Sequence, residues 1–304
     1  MKSIIIYFSL TGSTKKVALA IHKGMSQVAD QCDIATVKEV EDKEFDIQRL
    51  IDYDLIGVGS PVWGIPIPQN FKDMIESMPQ LKDKHAFAFC THGCAPAYFF
   101  PQVVRFLARR GLKVIATRDW YGSLYLPVAP KPYLTDGHPD NIDLMEAEHF
   151  GREIVELSRR VSAGETQLIP PLPPMPPKLK SSRQIKRFLP QFNLQKCRYP
   201  ECRLCVDNCP LNVINLSVSP PVVSKNCRFC YFCELICPEG AVEVDYENMI
   251  KGFSSTVEER FIERMDQAEA EGTFRRLVPL KDVGWDTPFF KVYNKHPRYI
   301  IPEE

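Results

Sequence analysis

Through the first half of the chain, short apolar runs alternate with stretches of helical spacing. Ile4–Phe8 is a continuous apolar run of strand length, and Ile34–Val37, Leu55–Gly59, His85–Cys90 and Val114–Thr117 are further strand-like runs. Between and after them, Val17–Met25, Phe71–Met78, Phe99–Arg110 and Ile142–Val161 place their apolar residues at helical spacing. Continuous rather than alternating apolar strands are buried on both faces. Strands alternating with helices therefore predict an α/β fold, a doubly wound parallel sheet with helices on both sides.

The pattern stops near Pro170. Pro170, Pro171, Pro173, Pro174, Pro176 and Pro177 leave little room for helix or ladder pairing and favour an extended spacer, and Lys178–Arg187 is basic. This divides the chain into 1–164, a linker at 165–190, a cysteine-rich segment at 191–247 and a tail at 248–304. In the tail, Val257–Glu271 has helical character. Trp285, Phe289, Phe290, Tyr293 and Tyr299 make its end too aromatic for disorder, so it is expected to pack back on one of the domains.

Composition changes the picture at one point. The chain has 304 residues, with 38 basic side chains balancing 38 acidic ones, so net charge argues for neither nucleic acid nor an anionic membrane. Of its eleven cysteines, eight fall between Cys197 and Cys237. The N-terminal apolar run is too short for a signal peptide, and no stretch approaches the ~18 apolar residues of a membrane span. A cytoplasmic protein is expected, in which clustered cysteines hold metal rather than form disulfides; Cys32 and Cys90 read as buried apolar residues.

Two sets of residues carry chemistry. The first is Ser9-Leu10-Thr11-Gly12-Ser13-Thr14, between the first strand and the first helix. Free N–H groups at a helix N-terminus and its dipole favour a phosphate there, hydroxyls of Ser9, Thr11, Ser13 and Thr14 add donors, and Gly12 allows close approach. A plain capped helix start is the alternative. No Walker lysine spacing and no G-x-G-x-x-G is present. The pattern [ST]-x-T-G-x-T after strand one resembles the FMN phosphate loop of the flavodoxin family, whose sheet order is 2-1-3-4-5 and whose ligand sits beyond the carboxyl ends of the strands.

That resemblance implies flavin contacts from two later loops. One is Ser60-Pro61-Val62-Trp63-Gly64-Ile65-Pro66, with Pro61 and Val62 as wall, Trp63 as stacking plane or ordinary core aromatic, and Gly64 as the glycine whose peptide answers protonation of flavin N5. The other is Thr91-His92-Gly93-Cys94-Ala95, whose backbone would bind the pyrimidine edge. Here His92 reads as a polar loop residue and Cys94 as a small, loop-compatible one.

The second set is two cysteine runs. Cys227, Cys230, Cys233 and Cys237 follow C-x2-C-x2-C-x3-C-P, the bacterial [4Fe–4S] ferredoxin spacing. Cys197, Cys202, Cys205 and Cys209 keep the end of that pattern but open with C-x4-C, leaving a labile or three-iron first cluster open. Zinc is the alternative for paired C-x2-C motifs. Val213–Leu216 follows the first run as Ala241–Val244 follows the second, which looks like the ferredoxin internal repeat in a small α+β domain. The resemblance implies one [4Fe–4S] cluster on Cys197, Cys202, Cys205 and Cys237, and another on Cys227, Cys230, Cys233 and Cys209.

Together these features resemble flavodoxin–ferredoxin fusion proteins of anaerobic bacteria and archaea. The resemblance implies electron transfer between FMN and two [4Fe–4S] clusters, serving redox partner proteins as donor and acceptor, with a homodimer left open. A flavin-dependent reductase remains an alternative, with the Trp120–Tyr125 loop as a substrate wall; a cluster-based redox sensor is another.

Overall fold

The computed structural model describes residues 1–63, 67–175 and 188–301, apart from the side chains of 251–259. Gly64 lies outside the described residues, as do Pro176, Pro177 and the basic Lys178–Arg187. The chain forms two compact units, one of Met1–Ser123 with Gly137–Lys178, the other of Leu124–Asp136 with Leu179–Glu304. Leu124–Asp136, inside the 1–164 stretch, thus groups with the C-terminal unit.

The first unit runs β1 (Lys2–Tyr7), α1 (Ser13–Ser26), β2 (Gln31–Thr36), α2 (Val37–Glu41), β3 (Leu55–Pro61), α3 (Gln69–Ser77), β4 (His85–His92), α4 (Phe99–Arg109), β5 (Lys113–Tyr121) and α5 (Asn141–Ser162). The five strands form one parallel sheet in the order β2-β1-β3-β4-β5, the flavodoxin-like arrangement. Alternation along each strand splits the core into two layers. Ile4, Ile6, Ile56, Val58, Ala88 and Cys90 face one way, with Phe71, Met74, Val103 and Leu107 from α3 and α4. Ile5, Tyr7, Leu55, Phe87 and Phe89 face the other, with Val17, Ile21 and Met25 of α1 and Phe150, Ile154 and Val155 of α5. β4 is buried along its whole length, the property of a central strand that its unbroken apolar sequence encodes. α5 is started by Asp140, whose carboxylate accepts the N–H groups of Ile142 and Asp143 while Asp143 reaches back to the Asp140 N–H.

The second unit is a small α+β domain with a helical tail. Its elements are β6 (Gln191–Phe192), α6 (Leu204–Asp207), β7 (Ile214–Asn215), β8 (Val222–Val223), α7 (Phe232–Leu235), β9 (Val242–Glu243), α8 (Tyr246–Ala270) and α9 (Phe289–Val292). β6 pairs antiparallel with β9, and β7 with β8. The internal repeat is visible in the backbone, because each cysteine run turns into a one-turn helix, α6 or α7, and β7 and β9 then start at the same offset from Cys209 and Cys237.

The tail lies within this unit. Tyr299 N–H donates to the Leu235 carbonyl at 2.9 Å, and its ring meets Phe232 at 5.9 Å and Tyr125 at 5.2 Å. Arg298 Nε donates to Glu234 Oε1 at 2.7 Å, with side chains only 10% and 3% exposed, and Arg298 Nη1 donates to the Phe290 carbonyl. Lys131 of the Leu124–Asp136 segment pairs with Asp136 at 2.6 Å over the Tyr125 ring.

Candidate functional site

In a parallel doubly wound sheet the loops at the carboxyl edge are the ones free to bind, because the strands below fix them while their backbone groups stay unpaired. Three loops meet at that edge here. The first leaves β1 and enters α1 through Gly12, at φ 86° in the left-handed region that favours glycine. As helix cap, Gly12 has no side chain to bond the first turn, and the positive end of the α1 dipole faces the loop. Ser9 Oγ accepts from Lys15 N at 3.2 Å, curling the loop over the helix start.

Thr14 in the first turn of α1 is buried, and its Oγ1 lies 2.7 Å from Thr91 Oγ1 on β4. Thr91 also accepts the Val62 N–H at 2.9 Å through its carbonyl, and the Gly122 N–H donates to the His92 carbonyl at 3.0 Å. A Cβ built on Gly122 would stand 3.1 Å from Ser13 Cβ and 3.2 Å from Ser13 Oγ, so this glycine lets the end of β5 close against the phosphate-type loop. The structure therefore brings Ser9, Thr11, Gly12, Ser13, Thr14, Pro61, Val62, Thr91, His92, Gly93 and Cys94 to one edge. Trp63 is half-buried, with its ring edge-on to Phe8 at 5.2 Å.

Three buried polar atoms of this unit have no hydrogen-bond partner among the described residues: Asn70 Oδ1, His92 Nδ1 and Trp120 Nε1. They belong to the start of α3 and the ends of β4 and β5, all at the carboxyl edge. Buried polar groups are nearly always paired, so Asn70 Oδ1 and His92 Nδ1 on one face of this edge fit a polar ligand seated there, while Trp120 packs against Phe150 on the other face. With a helix N-terminus, hydroxyls and a glycine cradle beside them, the residues fit a phosphate-bearing aromatic group.

Three details differ from the sequence expectation. His92 is no loop residue; it ends β4, is 4% exposed, and its Nε2 lies 2.8 Å from Asp119 Oδ2. Trp120 and Tyr121 belong to β5, which runs longer than Val114–Thr117, so the Trp120–Tyr125 stretch is a loop only after Tyr121. Asp119, His138 and Asp143 carry no expectation from the sequence. The one available signal was the Asp140-x-x-Asp143 capping spacing, which marks a helix start and not a site.

In the second unit all eight clustered cysteines are free thiols. Cys197, Cys202, Cys205 and Cys237 line one pocket, floored by Phe192, Ala241 and Val242. The widened opening is taken up locally, since Cys202 N–H donates to the Arg198 carbonyl at 3.0 Å and winds the extra residues into a turn. Burial pushes the Cys205 thiol up to about 12, and Cys237, Cys197 and Cys202 around it add to the shift. Cys230 is pushed up to about 12 by burial, opposed by a bond from the Phe232 backbone, with Cys209 and Cys227 adding. Burial likewise raises Cys233 strongly, with Cys230, Cys205, Cys227 and Cys209 adding.

Cys205 thus lies among Cys197, Cys202 and Cys237, and Cys233 among Cys209, Cys227 and Cys230, with Cys205 and Cys233 close enough to influence each other. Among the described residues no three His, Cys, Asp or Glu side chains converge as ligands of one ion. Backbone N–H groups point at the sulfurs, Phe229 at Cys227 Sγ (3.4 Å) and Ala241 at Cys237 Sγ (3.2 Å). Phe229 and Tyr231 hold φ of 57° and 56°, left-handed for bulky residues, and this winds the run around its cysteines. Tyr231, 1% exposed, is fixed there by its hydroxyl, which donates to the Phe188 carbonyl at 3.2 Å.

Comparison with known proteins falls along the same division. The flavodoxin domain family matches residues 4–115. An uncharacterized ferredoxin of Methanocaldococcus jannaschii is 42% identical over 53 residues, 17% of this chain and 86% of that protein. A ferredoxin of Methanothermococcus thermolithotrophicus is 41% identical over 55 residues, 92% of its length. The chain belongs to the ferredoxins and carries a flavodoxin domain. Probable flavodoxin 2 of Bacillus subtilis is 23% identical over 160 residues, covering 52% of this chain and 96% of that one. Among solved structures, a flavodoxin from the domain Archaea aligns with a TM-score of 0.39 at 20% identity, covering 52% of this chain and 99% of that chain. Among the described residues of this flavodoxin- and ferredoxin-bearing chain, no helix is long and apolar enough to cross a membrane.

Proposed function

We propose that this protein carries low-potential electrons between FMN, held at the carboxyl edge of the flavodoxin domain, and two [4Fe–4S] clusters, held by the two sets of four cysteines, in exchange with partner redox proteins. The observation that carries the proposal is the coexistence in one chain of the two donor sets: Gly12-capped α1 with Thr14, Thr91 and Gly122 at one edge, and eight free thiols in two fours. When bound, FMN supplies a two-electron store that discharges one electron at a time, and each cluster supplies a one-electron site.

The residues of the chain do the rest. The α1 N-terminus and the hydroxyls of Ser9, Thr11 and Ser13 bind a phosphate and fix the register of the group attached to it. Trp63, Pro61 and Val62 wall it on one side, and the Thr91–Cys94 backbone answers its polar edge. In the ferredoxin unit, N–H groups of Phe229 and Ala241 donate to sulfurs and stabilise the more negative, reduced state. Burial by Phe192, Ala241 and Val242 keeps water from one set of sulfurs. Joining both donor sets in one chain replaces a bimolecular encounter by an intramolecular one.

The test is anaerobic reconstitution of the full chain with FMN, iron and sulfide. About one flavin and about eight irons per chain are expected, two clusters of four. A chain that quenches no flavin fluorescence, or that saturates near one metal ion per four cysteines, refutes the proposal.

A further inference from the structure

His92 stands apart from the other residues of the candidate flavin edge because its side chain, not only its backbone, is placed for chemistry. Its ring is buried at the end of β4. Nε2 meets the Asp119 carboxylate at 2.8 Å, and the ring is edge-on to Tyr121 at 4.7 Å, both on β5. On the far side of Tyr121, at 6.1 Å between ring centres, is His138, whose Nδ1 lies 2.5 Å from Asp143 Oδ2. Cys90 on β4 faces the same Asp119, and burial holds its thiol protonated. The ionisable groups around His92 are thus one carboxylate in contact, one phenol, one protonated thiol and a second imidazole–carboxylate pair behind the phenol. Arg118 lies on the other face of β5, stacked on Trp120 and within 3.9 Å of Glu146.

With Nε2 donating to Asp119, the neutral ring presents Nδ1 as an acceptor, and Nδ1 is buried with no donor among the described residues. Taking a proton turns Nδ1 from an acceptor into a donor, and the positive charge of the imidazolium formed is matched by Asp119. The Asp119 side chain is 37% exposed, so water reaches the pair from outside. The ring also sits one residue from Thr91, whose hydroxyl meets the phosphate-type loop.

We infer that His92, held by Asp119, is a redox-linked proton site, in which the imidazole takes up a proton when an electron arrives at the flavin edge. The inference rests on the flavin reading above. The step balances as one electron from an external low-potential reductant of the dithionite class to the bound flavin and one proton from a hydronium ion in solvent to His92 Nδ1. An O–H bond breaks, an N–H bond forms, and the charge added at the edge is compensated. Linkage is reciprocal: if the reduced protein binds this proton tenfold more tightly, protonation makes reduction tenfold more favourable, which is 59 mV for one electron.

The experiment uses the full chain, reconstituted anaerobically and titrated with dithionite at several pH values spanning the ordinary histidine pKa of about 6.5. Flavin binding is checked first by fluorescence quenching; no binding overturns both the flavin reading and this inference. If FMN binds, the native protein should show a rise in flavin potential on acidification that exceeds that of His92→Gln by a factor of about ten, or about 59 mV. Asp119→Asn should keep part of that rise and move it to lower pH, because it removes the charge that matches the imidazolium. Should His92→Gln fail to fold, the His92 ring proton signal of the native protein decides, its titration moving upward by about one pH unit between oxidised and reduced states. Equal pH dependence in native and His92→Gln, or an unmoved ring titration, overturns the inference and leaves the flavin reading intact.

Discussion

Arg298 and Glu234 tie the end of the chain to the second cysteine run, and breaking that tie is the sharpest test of how the ferredoxin unit is held. The contact is a 2.7 Å charge-assisted bond between side chains 10% and 3% exposed, and it spans the chain from the tail to the residue after Cys233. Removing one partner of a buried pair costs about 3–5 kcal/mol, because the other charge remains buried without a match. Arg298 also donates to the Phe290 carbonyl, so Arg298→Gln loses a second bond of about 1 kcal/mol. Against this stand the Tyr299 N–H bond to Leu235 and the stacking of Tyr299 on Phe232 and Tyr125, which the variant keeps. At 1.4 kcal/mol per decade, a loss of about 4 kcal/mol, the lower end of the sum, raises the undocked fraction of the tail roughly a thousandfold. Hydrogen exchange on the intact protein reads this directly, since the Tyr299 amide should lose about three decades of protection while amides of the parallel sheet keep theirs. The double variant Arg298→Met, Glu234→Leu should recover most of the protection, because a buried pair is often replaced by apolar residues at little cost. Tyr299 protection within about threefold of native in Arg298→Gln would refute the reasoning and make the aromatic contacts the real tether.

Other consequences follow from single contacts. Gly122→Val should weaken FMN binding tenfold or more with little loss of stability, because its side chain would press on Ser13; fluorescence quenching measures it. Thr91→Val should cost about 1–2 kcal/mol of stability, since Thr14 Oγ1 loses a buried partner, and a double-mutant cycle with Thr14→Val isolates the pair in denaturant unfolding. Cys197→Ala should halve the iron bound and leave one cluster signal in anaerobic spectroscopy; two intact signals would show that Cys197 is not a ligand. Burial, and Lys113 after it, push His85 below its ordinary pKa, so the unfolded chain binds the proton more readily. Its contribution to stability is present above about pH 6.5 and is lost as pH falls through the depressed value. The stability difference between pH 7.5 and 5.5 should therefore shrink in His85→Gln.

The parallel strands and the two cysteine runs were legible because each has a local signature, whereas the strand order came from the flavodoxin resemblance of the Ser9–Thr14 loop. Unbroken apolar runs such as His85–Cys90 encode central parallel strands, and Cys227–Cys237 carries its spacing within a single turn of chain. The His92–Asp119 contact was hidden because it depends on β5 running to Tyr121, and Asp119 interrupts the apolar run that marks a strand. Arg298 with Glu234 was hidden for another reason: nothing within a few residues of either one indicates a partner so far along the chain. The grouping of Leu124–Asp136 with the C-terminal unit has no periodic signal, since prolines and turns fill the segment.

That grouping bears on how such a protein can be taken apart. Because Leu124–Asp136 returns to the first unit before α5, the backbone crosses between the units at three points along the sequence rather than one. A cut in the proline-rich stretch would yield an N-terminal fragment that carries away a piece of its neighbour, with Lys131 and Tyr125 in it, and a C-terminal fragment lacking that piece. Expressed apart, the halves would be mutually incomplete.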